Sequence, residues 1–140
     1  MTTKTCAAYQ EVAGTFSNKP ETFRFTYNFA NDTGAETHSA YYLGRFKKKM
    51  LIVSSKVHVE TACTSGTSAA TLEIGTTSDV DAVLKAATGV IGSLGDDAVL
   101  SETAGQGTVV QVDDYLYAVI GTEALTAGKV HVIVEAMSCA

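Results

Sequence analysis

The fold this sequence predicts is all-β: an antiparallel, jelly-roll-like β-sandwich of seven to eight strands with one short helix. Three observations predict it. The last third of the chain is made of short β-branched and aromatic runs, at residues 109–112, 115–120 and 129–135, separated by Gly, Asp and Thr. The final run, Lys129-Val130-His131-Val132-Ile133-Val134-Glu135, puts Val130, Val132 and Val134 on one face and Lys129, His131, Ile133 and Glu135 on the other, because strand side chains alternate with period two. Residues 22–29 repeat the pattern, with Phe23, Phe25, Tyr27 and Phe29 against Arg24, Thr26 and Asn28. Several such runs separated by turn-sized gaps belong to two-sheet architectures.

The remaining elements follow in order. Residues 1–21 lack sustained periodicity and are rich in Thr, Ala, Ser and Asn. They read as an N-terminal arm or irregular lead-in to a β-sandwich domain spanning 22–140. Asn31-Asp32-Thr33-Gly34 is a turn whose left-handed residue is supplied by Gly or Asn. Residues 37–46 and 50–60 are the second and third strands, the latter long enough to bend or carry a bulge near Ser54-Ser55. Residues 64–68 read as a flexible connection and residues 70–75 as a short strand. Over 78–87 the β pattern breaks. Ser78 or Asp79 can cap a helix there, with Val80, Val83, Leu84 and Ala87 on one face. Residues 88–100 fit neither template cleanly, apart from a Gly95-Asp96-Asp97 turn. The three closing strands follow, the last of them preceded by Leu125-Thr126-Ala127-Gly128 as a turn.

A chain of 140 residues is one domain by length and can bury a sizeable core. With 46% apolar and only 18% charged residues, it falls among globular proteins rather than disordered ones. No apolar run approaches the roughly 18–20 residues of a membrane helix, and the first residues lack the hydrophobic core of a secretion signal. A soluble protein made in a cytoplasm, without membrane contact, is expected. Cys6, Cys63 and Cys139 lie far apart without metal-ligand spacing and read as reduced thiols. The net charge of −5 is unevenly spread, +3 over residues 1–70 and −8 over residues 71–140. An acidic half of that size disfavours non-specific nucleic-acid binding, which depends on neutralising phosphates.

The candidate catalytic and metal-binding groups converge on no chemistry. His38, His58 and His131 are the histidines, and the last two sit mid-strand between valines as surface or interface residues. The pairs Asp79/Asp81, Asp96/Asp97 and Asp113/Asp114 lack the twelve-residue calcium loop and suit turns on their own account. Glu73, Glu102, Glu123 and Glu135 could form a glycosidase pair only if folding set two of them about 5–9 Å apart. No Gly-x-Ser-x-Gly elbow and no phosphate-binding loop occurs. We expect no enzymatic activity, no metal and no cofactor. One run has a functional reading: Arg45-Phe46-Lys47-Lys48-Lys49 holds four of the ten basic residues. Arg45, Lys47, Lys48 and Lys49 are either a solvated turn that discourages edge pairing or a contact for an acidic partner. Tyr41-Tyr42-Leu43 and Met50-Leu51-Ile52-Val53 are continuous, so both strand faces carry apolar groups and a homo-oligomer is expected.

The stretches Val57-His58-Val59-Glu60-Thr61-Ala62, Gly75-Thr76-Thr77-Ser78-Asp79-Val80-Asp81-Ala82-Val83-Leu84 and Thr126-Ala127-Gly128-Lys129-Val130-His131-Val132 resemble small β-sandwich structural proteins of tailed-bacteriophage virions. The likeness covers about residues 50–140 and is one of pattern. It implies a jelly-roll protein that decorates the capsid or builds a tail appendage, most directly a capsid decoration (cement) protein. It further implies a location in the virion after assembly in the host cytoplasm, the major capsid protein or another virion protein as partner, and a trimer. A tail or fibre component and a carbohydrate-binding module are the alternatives. The tyrosines Tyr41, Tyr42, Tyr115 and Tyr117 are the aromatic clusters such a module would use.

Overall fold

Pairing of the first strands with the last organises the molecule. The computed structural model describes residues 3–12, 21–33, 40–47, 49–77, 83, 95–101, 109–110 and 114–138. These comprise β1 (Thr3–Val12), β2 (Glu21–Asn28), α1 (Phe29–Asp32), β3 (Ala40–Phe46), β4 (Met50–Ser65), β5 (Thr71–Thr76), β6 (Val99–Ser101), β7 (Val109–Val110), β8 (Asp114–Gly121) and β9 (Leu125–Ser138). Sheet A has the order β1-β3-β8-β5; sheet B has the order β2-β9-β4-β6, with β7 also paired to β4. All pairings are antiparallel except β1 with β3, which is parallel. The result is the all-β sandwich that the alternating runs predict.

The core lies between the sheets and follows the predicted parity. Phe25 and Tyr27 of β2, and Val130, Val132 and Val134 of β9, are buried, with Ala136 continuing the row. In sheet A they meet Tyr41, Leu43 and Phe46 of β3 and Leu116, Ala118 and Ile120 of β8. Aromatic edges join the layers: Phe25 meets Phe46 at 5.9 Å and 62°, and Tyr27 meets Tyr41 at 5.6 Å and 85°, the edge-on geometry ring quadrupoles favour. Phe23 is half-buried against this core.

Two of the register shifts among these pairings bear on the core and the outer faces. In β4 pairing with β9 shifts between Ile52 and Ser54, close to the irregularity expected at Ser54-Ser55. In β3 it shifts between Tyr42 and Gly44, so Leu43 and Gly44 are both buried in succession. Gly44 has to be glycine. A Cβ there would lie 2.6 Å from the Gln10 carbonyl oxygen and closer still to the Phe25 ring.

Four local expectations need correction. Thr3–Val12 is a strand of sheet A, not an irregular lead-in. Cys6 is its only buried side chain among those described, so no apolar alternation marks it. Asp32, itself buried, fastens the strand by accepting from Ala7 N at 2.7 Å while also accepting from Asn28 N at 3.0 Å. Phe29 does not extend β2 but opens α1, because the Asn28 side chain accepts from Ala30 N and caps a turn of helix. A positive φ falls on Thr33, 62°, while Asn31 is helical; Gly34 lies outside the described residues. Finally, residues 125–128 are not a turn; they are the start of β9, and Thr64 pairs with Ala127. The reversal comes earlier, at Thr122 with φ 72°. Gly128 serves the strand, with φ +134° and a Cβ position 2.8 Å from Cys63 Cα. The expected helix over 78–87 falls outside the described residues, except Val83, which is buried and donates its N–H to Ile74 O at 3.0 Å.

Candidate interaction surfaces

Sheet A carries Arg45 with Tyr42, Tyr115 and Tyr117 on its outer face. The bulge at Leu43-Gly44 turns Arg45 outward, directly opposite Tyr115 on β8, and its guanidinium carbon lies 5.4 Å from the centre of that ring. Tyr42 is paired with Tyr117, stacks on Tyr115 at 4.5 Å and 17°, and meets Tyr117 edge-on at 6.5 Å. Lys47 Nζ sits 2.7 Å from Glu11 Oε2 of β1, and this contact, above all its hydrogen bond, holds the Glu11 carboxyl below its usual range. Tyr9 belongs to the same neighbourhood. Burial first, then the charge of Glu11 and the nearby Tyr115, push its phenol up, while Arg45 and Lys47 oppose. Lys49 is exposed and Lys48 falls outside the described residues. The structure therefore unites Arg45 and Lys47 with a tyrosine ladder that the sequence presents as a separate feature. It also separates Tyr41 from that cluster, in the core against Tyr27.

Sheet B carries a different face. His58 and His131 are direct cross-strand partners whose rings lie 6.0 Å apart at 20°. His131 is buried; its Nδ1 is 2.9 Å from Thr26 Oγ1 and its Nε2 is 3.1 Å from Glu60 Oε1. Lys129 Nζ reaches Glu60 Oε2 at 3.1 Å. The hydrogen bonds from His131 and then Lys129 hold the Glu60 carboxyl below its usual range. His58 Nε2 lies 3.3 Å from Asp97 Oδ1. Sequence reading took each histidine alone and missed the pair. The available signal was their shared parity: each alternates with inward valines, so pairing β4 with β9 places both outside.

No family model matches the chain, and no curated protein matches it in sequence. Solved structures do match. A chain in the cyanophage Pam1 capsid asymmetric unit aligns with a TM-score of 0.59 and 14% identity, over 89% of this chain and 90% of that one. A chain in the capsid of Ralstonia phage GP4 aligns with a TM-score of 0.62 and 13% identity, over 89% and 87%. The fold is one found in phage capsids.

The carboxylates are dispersed over that fold. Glu73 and Glu135 lie on the outer faces of opposite sheets, and Glu102 is outside the described residues. Glu123 is a structural tie. It accepts from Ser65 Oγ at 2.6 Å, Thr67 N at 2.9 Å, Ala69 N at 3.0 Å and Thr67 Oγ1 at 2.8 Å, binding the β4–β5 turn to the β8–β9 turn. Those four donors, the Ser65 hydroxyl foremost, lower its pKa to about 2. Asp96 accepts from Ala62 N at 2.6 Å, and Asp114 accepts from Thr77 N at 2.8 Å. Asp79, Asp81 and Asp113 fall outside the described residues. Among the described residues no three His, Cys, Asp or Glu side chains gather as a metal site would require. Cys6 and Cys63 are free thiols, pushed up to about 12 and about 11, chiefly by burial. An open groove of about 370 Å³ lies between Asn28–Ala30 and the start of β9; Lys129, its one basic group, is already engaged by Glu60.

Proposed function

We propose that this chain is a non-enzymatic virion structural protein, specifically a capsid decoration (cement) protein of a tailed phage. The observation that carries the reading is a fold shared, over nearly the whole of both chains, with two chains of phage capsid structures. The strand pairing supports the jelly-roll form: β9 lies between β2 and β4 while β8 lies between β3 and β5, so late strands wrap onto early ones as in that fold. A decoration protein needs stable surfaces rather than a reactive cleft. Binding that exists only on the assembled shell stabilises that shell by mass action.

In this reading the partner is the major capsid protein, the oligomer is a trimer and the location is the virion after assembly in the host cytoplasm. Arg45, Lys47, Lys48 and Lys49 at the β3–β4 turn provide the contact to an acidic shell patch. The carbohydrate-binding alternative is less well supported by the tyrosines than their number suggests. Tyr42 and Tyr115 stack on each other and Arg45 lies over Tyr115, so the ring faces that a sugar would stack on are in use.

The test is co-sedimentation of the purified protein with empty capsids that lack it, at low and high salt. Saturable binding that weakens as salt screens the basic turn is expected. Protein left entirely in the supernatant, with a positive signal on a panel of bacterial surface glycans, would replace this reading with the carbohydrate-binding one.

A further inference from the structure

Sheet A offers a surface with the anatomy of a protein interface. Its centre is aromatic and aliphatic: Tyr42 on β3, then Tyr115, Tyr117 and Val119 on β8, all half-buried and outward. Its charges sit toward the perimeter, with Arg45 on β3 at one end and Glu73 on edge strand β5 at the other. Interface cores are enriched in tyrosine and arginine and depleted of acidic residues, with charge at the rim. Among the described residues no element covers this face, since β1, β3, β8 and β5 form a single layer.

The placement of the two charges identifies the occupant. Arg45 pairs with Tyr115, Glu73 pairs with Val119, and Tyr117 lies midway between those two on β8. Arg45 and Glu73 are therefore separated by two strand spacings and four residues of rise, about 16 Å along a diagonal centred on Tyr117. A two-fold axis in the contact plane, over Tyr117 and perpendicular to that diagonal, carries Arg45 of one copy onto Glu73 of the other. The reciprocal pair forms at the same moment. Residue i meeting j while j meets i defines an isologous contact.

We infer that the outer face of sheet A docks a second copy of this chain through a two-fold contact centred on Tyr117, with reciprocal Arg45–Glu73 pairs. The aromatic ladder supplies the apolar area, and the charges set the rotation of one sheet on the other. The outer face of sheet B does not suit this role. Its middle holds His58, His131, Glu60 and Lys129 already bound to one another, and burying such a network against a flat partner would cost desolvation that no new contact offsets. The inference sets a two-fold pair in place of the trimer of the capsid reading and draws on Arg45, which that reading also uses; its failure leaves the structural role in the virion untouched.

Charge reversal tests it. Wild-type protein, R45E, E73R and the R45E/E73R double variant are compared by sedimentation velocity at micromolar concentrations, with circular dichroism to establish folding. Wild type is expected to self-associate. Each single reversal is expected to weaken association by about tenfold or more, because symmetry makes it act at two places. The double variant recovers association, and mixing R45E with E73R yields a hetero-pair tighter than either variant with itself. If a reversal fails to fold, R45Q and E73Q test the loss alone: each is expected to weaken association, and undiminished association in both overturns the proposal. A monomeric wild type, undiminished association in the single variants, or a double variant no better than the singles each overturns the proposal. A monomer whose binding to empty capsids falls in R45E and E73R assigns the face to a different virion protein and likewise overturns the second-copy assignment.

Discussion

The two outer faces of the sandwich are made by the same kind of strand, yet they differ in what they have left to give. On sheet A the large groups are rings stacked sideways on one another, with one guanidinium over Tyr115. Their half-buried rings form an apolar surface on the outside of the sheet. On sheet B the middle of the outer face is polar, with Thr26, His131, Glu60 and Lys129 in one connected chain, while Ile133 beside it is half-buried and Val99 on β6 is exposed. A face that has consumed its hydrogen-bonding capacity internally stabilises the fold but has little to offer a partner. The contrast separates a surface suited to docking from a surface suited to solvent.

The largest expected effect breaks the support common to both faces. Phe25 is fully buried, packs on Phe46 and lies against Gly44. Phe25→Ala should destabilise by about 3–5 kcal/mol through lost burial and a cavity, measured by denaturant unfolding. Filling the same spot from the other side, Gly44→Ala should cost about 1–3 kcal/mol by overpacking. A loss from the double variant smaller than the sum of the two single losses would show that the two changes relieve one another, as contact between the two positions predicts.

A second comparison lies along β9, where neighbours face opposite ways. Val132→Ala should cost on the order of 1–3 kcal/mol, whereas Ile133→Ala, on the half-buried outer face, should cost less than about 1 kcal/mol. Equal losses at the two positions would mean that another chain covers sheet B and would reverse the assignment of the docking face. Smaller again is the coupling within the sheet A ladder. A double-mutant cycle on Tyr42 and Tyr115 should return about 0.5–1.5 kcal/mol of ring-ring interaction.

The smallest effect at neutral pH is the acid response of the Glu123 tie. Its carboxyl is lowered from the ordinary 4.5 to about 2 by its four donors, so the folded state binds that proton less readily than the unfolded state. The stability it contributes is fully present above about pH 4.5 and is lost as pH falls from there through about 2. Glu60 and Glu11, lowered in the same direction, act alongside it. Melting temperature should therefore fall through that window, and Glu123→Gln should flatten the fall while leaving Glu60's share. An unchanged acid slope in the variant would show that the β4–β5 turn does not depend on this carboxylate.

Much of the fold was legible because side-chain parity is a local property. Val130, Val132 and Val134 face inward for the same reason that His131 and Ile133 do not, and Phe25 and Tyr27 follow suit. The bulge near Ser54 was visible as a strand too long to stay in phase. Strand β1 was not legible. Its place depends on backbone pairing to β3 and on the remote Asp32 carboxylate, and neither leaves a mark within residues 3–12. The turn read at residues 125–128 failed because Gly128 is a glycine for close approach to Cys63, not for reversal. Of the candidate contact residues, Arg45 and Lys47 were singled out by charge. The association of Arg45 with Tyr115 and of Lys47 with Glu11 required strands distant in the chain to be neighbours.

By itself, then, the sequence determined an all-β chain, the inward face of its strongest strands and the concentration of basic charge at one turn, since period-two alternation and local composition need no partner to be read. Tertiary structure alone decided which strands are neighbours. That choice stacks Tyr42 on Tyr115, sets His58 beside His131 and ties Glu123 to Ser65 and Thr67. It rests on long-range backbone pairing, whose hydrogen bonds are alike for every residue and therefore invisible in the identities of the residues that make them.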